Sequence, residues 1–204
     1  MEVRARRLEG TRAVAAPEGN SRITALTAGV LLVFLAVEGA TLISLQTFIS
    51  WHIAVGMLLV PIVLLKIGST GYRMARYYTG HREYVRAGPP PLPLRLLGPV
   101  LVFATLGLFA SGIALVVLGP GAPLVLLLHK ASFAVWVAAV SVHVLAHIVR
   151  IPGLTAPDIR GGDGVPGSRL RLSLVAGAIA TGAIVAVATL PLVSPWAHWV
   201  GASH

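Results

Sequence analysis

Residues 51–71 read WHIAVGMLLVPIVLLKIGSTG, and residues 124–149 read LVLLLHKASFAVWVAAVSVHVLAHIV. Each stretch is long and apolar enough to cross a bilayer as a helix. Each carries a histidine near its start and a second basic side chain fourteen residues later: His52 with Lys66, and His129 with His143. Fourteen residues make close to four helical turns, so each pair shares a face and spans about 21 Å along the axis. Ionisable groups at such depth in hydrocarbon are costly and mark functional positions.

Working outward, 56% of the 204 residues are hydrophobic and 11% are charged, too apolar a balance for a soluble domain. The expected fold class is an all-α integral membrane protein. Five spans are predicted, at 23–50, 51–71, 96–119, 124–149 and 172–193, within a transmembrane domain covering 23–200. Four of the helices would form a haem-binding bundle core. The fifth, with Ala178, Gly182 and Ala186 on one face, reads as a further packing helix.

Basic residues set the expected orientation, because Lys and Arg in short loops stay cytoplasmic. Arg4, Arg6, Arg7, Arg12 and Arg22 precede the first span, Arg73 to Arg95 fill the second connection, and Arg150 to Arg171 fill the fourth. Lys130 lies near the opposite face. The N-terminus is therefore expected inside and the C-terminal residues 201–204 in the periplasm, in a multi-pass protein of the bacterial plasma (inner) membrane. Trp51, Trp196 and Trp199 fit the outer boundary, and Tyr72, Tyr77 and Tyr78 the inner one. The net charge of +9 sits beside the spans, where topology and anionic headgroups explain it without nucleic acid.

Residues 1–22 read as a disordered basic cytoplasmic tail. The Pro/Gly-rich stretches at 88–91 and 152–167, including Gly-Gly-Asp-Gly at 161–164, read as linkers too small to fold as domains. Soluble catalytic chemistry therefore belongs to a partner, and the chain is not expected to be an enzyme on its own. The chain has no cysteine, which excludes thiolate-held iron–sulfur clusters, disulfides and covalent C-x-x-C-H haem attachment. A haem here is b-type.

Spans two and four run in the same direction, and His52 and His129 lie at similar depth near their outer ends. Two such imidazoles on facing helices give a six-coordinate iron suited to electron transfer. Gly56, one turn below His52, is expected to leave room for a porphyrin edge. In the inner half, His143 and His147 are one turn apart on one helix. One of them would ligate a second haem while the other contacts a propionate, so one haem or two remain open. Lys66 is open between ligation as a neutral amine, an ion pair with a propionate or with Glu38, and snorkelling to the headgroups. Arg73 continues the same face. Glu38 is placed near mid-bilayer, where it would be protonated, paired with Lys66 or in a wet cavity; a structural hydrogen bond or a proton-handling role in quinone chemistry follows.

The segments 51–56, 65–73, 128–133 and 143–147, with the Gly-Pro-Pro-Pro turn at 88–91, resemble the small membrane cytochrome b proteins. These are the cytochrome b561 and formate-dehydrogenase gamma-subunit kind, including bacterial cytochrome b/b6-domain proteins. The likeness covers roughly residues 42–150. It implies haem b in a helical bundle and electron transfer between a partner oxidoreductase, of molybdenum, flavin or hydrogenase type, and the quinone pool or another acceptor. It implies His52, His129, His143 and His147 as haem-contacting positions, with His52, His129 and His143 as metal ligands. Where two-haem relatives often have another histidine facing the inner haem, this chain has Lys66. The alternative readings are a proton- or ion-translocating subunit and a membrane anchor, both without haem.

Overall fold

The computed structural model describes residues 10–160 and 165–201, and every regular element among them is helical. The helices are α1 (Pro17–Thr41), α2 (Leu45–Tyr78), α3 (Arg82–Ala87), α4 (Leu92–Leu118), α5 (Pro123–His147), α6 (Ile151–Ile159), α7 (Ser168–Thr189) and α8 (Ser194–Gly201). Four helical stretches are long and apolar enough to cross a membrane: Pro17–Tyr78, Leu92–Leu118, Pro123–Ile159 and Ser168–Leu192. Residues 1–9, the Gly-Gly-Asp-Gly segment at 161–164, and residues 202–204 lie outside the described residues.

The first stretch folds back on itself. Asn20 Nδ2 donates to the Ser69 carbonyl at 2.9 Å, while Glu38 Oε1 meets His52 Nδ1 at 2.9 Å, so α1 and α2 are antiparallel. The reversal is a 3-10 turn at Leu42–Ser44, not at the expected boundary between residues 50 and 51. The reason is polar. The Thr41 hydroxyl donates to the Glu38 carbonyl (2.6 Å), Ser44 leaves helical conformation (φ −142°, ψ 76°), and its hydroxyl bonds that of Thr47. Such local side-chain bonds compete with helix continuation. Residues 45–50, expected in span one, therefore open α2, with a kink at Phe48.

Residues 10–22, expected as an unstructured tail, are helical except at Ala16. Pro17 is well suited to the first position of α1. Glu18 and Arg22 pair one turn apart at 2.7 Å, and the Tyr84 hydroxyl of α3 donates to the Ala15 carbonyl at 2.7 Å. These bonds fix a segment whose basic composition suggested solvation.

The region expected as a linker after span four is also ordered on both sides of 161–164. In α6, Asp158 accepts two hydrogen bonds from Arg171 of α7, at 2.8 and 2.5 Å, and Arg22 of α1 lies 4.0 Å from the same carboxylate. Asp158 and Arg171 are 0% and 1% exposed. Desolvated charge at that level persists only when paired, so this clasp ties three helices together.

Two packing units result. In the first, α1, α2 and α7 enclose Leu31, Val55, Leu59 and Ile62. Gly182 of α7 approaches so closely that a Cβ there would overlap the Leu58 carbonyl. The small-residue face expected on this helix thus serves close approach, the main source of helix association where lipid is as apolar as leucine. The second unit is the α4–α5 hairpin, made tight by Gly119 at φ 74° and Pro123 at the first position of α5. The units meet around Ile49, Ile53, Leu115, Val116, Val193 and Trp196. Trp196 of α8, expected at the membrane boundary, is buried there and donates from its indole to the Leu115 carbonyl at 3.1 Å. Trp51 and Trp199 remain exposed.

Candidate functional site

His52 projects from the start of α2 and His129 from the start of α5. Their ring centroids are 6.5 Å apart, with the planes at 84°. The two helices otherwise pack on different neighbours, α2 on α1 and α7, and α5 chiefly on α4. The rings therefore meet across the boundary between the two packing units.

With each ring neutral and Glu38 ionised, the hydrogen-bond partners assign the tautomers. His129 Nδ1 lies 3.2 Å from the Leu108 carbonyl and 3.2 Å from Ser111 Oγ. A carbonyl only accepts, so Nδ1 carries the proton. Ser111 directs its own hydroxyl proton to the Gly107 carbonyl at 2.7 Å and can accept from the ring. His52 Nδ1 lies 2.9 Å from Glu38 Oε1 and 3.2 Å from Thr41 Oγ1, whose proton goes to the Glu38 carbonyl. Its Nδ1 is likewise the donor. In the neutral form of each ring, Nε2 then carries the lone pair.

This is the pattern of metal-bound histidine, in which one ring nitrogen ligates and the other donates to a carboxylate or backbone carbonyl. The separation also fits. Two metal–imidazole bonds of about 2 Å each, plus the half-widths of the rings, span close to the observed centroid distance. The donor set distinguishes between metals. Among the described residues no group of three or more His, Cys, Asp or Glu side chains is placed to hold a metal ion. Two imidazoles fall short of the four ligands of structural zinc. They are, however, the full axial complement of a haem iron, whose remaining positions are filled by the porphyrin.

Small residues shape the surroundings. A Cβ at Gly112 would come 3.2 Å from His129 Cε1, and one at Gly107 would come 3.0 Å from Ser132 Oγ. These glycines let α4 close onto the α5 ring. Gly56, expected to clear a porphyrin edge, instead faces Glu38, whose Oε1 would lie 3.5 Å from an added Cβ. Glu38 itself is in the last turn of α1, at the level of His52, and not at mid-span. The reversal at Leu42–Ser44 places it there.

The other expected positions behave differently. Lys66 Nζ donates to the Thr24 carbonyl of α1 at 2.8 Å and is not paired with Glu38. Its neighbours form a polar seam between α1 and α2: Thr24 bonds Ser69 at 2.9 Å, and Arg73 bonds the Ser21 hydroxyl at 3.2 Å. His143 and His147 stack on each other, centroids 4.5 Å apart, with His147 Nδ1 donating to the His143 carbonyl at 2.9 Å. Among the described residues they do not face a histidine on another helix. Trp136 of the same helix turns to α4, donating to Thr105 at 3.1 Å.

The groups missed from the sequence are Ser111, Gly112 and the Leu108 carbonyl behind His129, and Thr41 behind His52. A signal existed for the first set: Ser111 and His129 are equidistant from Pro120, the centre of the hairpin turn. Comparison with known protein families, curated proteins and solved structures gives no match to the chain.

Proposed function

We propose that this chain is a membrane cytochrome b subunit holding one haem b between His52 and His129. It would pass single electrons between a partner oxidoreductase and the quinone pool or another acceptor. The observation that carries the reading is the facing pair of rings, each with Nδ1 anchored and Nε2 available. A haem held by His52 and His129 would supply a one-electron couple suited to electron transfer. His129 is positioned by Leu108 and Ser111, and His52 by Glu38 and Thr41, so neither ring needs to reorganise on binding.

This reading takes the α1–α2 hairpin as two crossings, for five in all, and the arginines of connections two and four lie opposite the His52 end. With positive residues inside, the histidine pair is near the periplasmic face of a bacterial plasma membrane and the N-terminus is cytoplasmic. His143 and His147 stack on each other and Lys66 is bonded to α1, which favours one haem over two.

The test is the visible spectrum and haem content of the detergent-purified full chain. We expect an intense Soret band that sharpens on reduction, one haem b per polypeptide, and the same content in His143→Ala. A folded, colourless preparation overturns the proposal and leaves ion translocation or membrane anchoring in its place.

A further inference from the structure

The two imidazoles are held by unlike partners. Behind His129 stand two neutral acceptors, a carbonyl and a hydroxyl, each at 3.2 Å. Behind His52 stands the Glu38 carboxyl group at 2.9 Å. The side chain of Glu38 is 16% exposed, and its second oxygen has no hydrogen-bond partner among the described residues. Among the described residues, the Glu38 carboxyl group thus pairs with His52.

Resting on the haem reading above, we propose that Glu38 is the positioning residue that sets the redox potential of the centre, acting through His52. A carboxylate draws the Nδ1 proton more strongly than a neutral oxygen, since charge-assisted hydrogen bonds are roughly twice as strong. It thereby raises the basicity of the ligating nitrogen. An ionised Glu38 would make His52 a more basic ligand and would favour the oxidised form of a haem held there, which carries one more positive charge than the reduced one. The electron entering on reduction comes from the external donor and is held less tightly than between two neutral-partnered histidines. Lys66 is tied to the Thr24 carbonyl and not to Glu38.

Potentiometric titration of the purified full chain tests the assignment. Glu38→Gln keeps an acceptor oxygen and removes the charge. It is expected to shift the one-electron equilibrium about tenfold toward the reduced form, a rise of about 59 mV. Glu38→Asp retains the charge and stays nearer the wild-type value, and Ser111→Ala, which removes a neutral acceptor from His129, moves the potential less than Glu38→Gln. A haem-containing Glu38→Gln protein with unchanged potential overturns the role of Glu38 but not the haem site; a wild-type protein without haem overturns the functional reading itself. Should Glu38→Gln not retain haem, the near-infrared charge-transfer band of the oxidised wild-type protein decides. Displacement from the position of two neutral imidazoles supports the assignment, and coincidence with it overturns the assignment.

Discussion

Replacing His129 by alanine is expected to lower haem retention by more than 100-fold while leaving the bundle folded. Loss of an outer hydrogen-bond partner alone typically costs 10–100-fold in affinity for a bound metal, and loss of the ligand itself exceeds that range. The fold should survive because nothing behind the ring is stranded. Ser111 already directs its proton to the Gly107 carbonyl at 2.7 Å, and Gly112 beside the ring carries no side chain. His52→Ala should remove haem equally but cost stability as well. It deprives Glu38 of its hydrogen-bond partner, and a partly buried carboxyl group without one costs stability. Haem per polypeptide, measured beside thermal unfolding of both variants, separates the two effects. Retention of full haem content in His129→Ala would contradict the ligand assignment.

The largest loss of stability is expected from Asp158→Asn. The substitution is nearly isosteric, but it leaves the Arg171 guanidinium, 1% exposed, with the Pro166 carbonyl at 3.0 Å as its remaining strong acceptor. Breaking a buried ion pair by removing one charge costs about 3–5 kcal/mol. Replacing both members by apolar residues of similar volume is often close to neutral, so Asp158→Leu combined with Arg171→Met should unfold at a higher temperature than Asp158→Asn. Thermal unfolding in detergent checks this. Equal stability of wild type and Asp158→Asn would show that the clasp contributes little to holding α1, α6 and α7 together.

What the sequence made legible was the apolar mass and the matched depth of two histidines. Both follow from distances along the chain: His52 and His129 each lie close to the start of an apolar run, and helical rise converts that into depth. The reversal after Thr41 was hidden because Leu42, Ile43 and Leu45 continue the hydrophobic run through the turn, all of them exposed. With the turn misplaced, Glu38 read as a mid-span acid, and its pairing with His52 was out of reach. The clasp was hidden for another reason. Arg171 read as one more cytoplasmic-side arginine, and Asp158 sat in a Pro/Gly-rich segment that carried no helical period. Lys66 read as out of place in hydrocarbon, and its partner is a backbone carbonyl of α1, which no side-chain pattern announces.

Low-temperature electron paramagnetic resonance of the oxidised, detergent-purified protein tests the His52–His129 site most directly. Two axial imidazoles give a low-spin ferric signal, expected here at one centre per polypeptide and absent from His129→Ala. A high-spin signal in the wild type, which reports an open axial position, or no ferric signal from a folded preparation, would contradict a haem gripped between these two histidines.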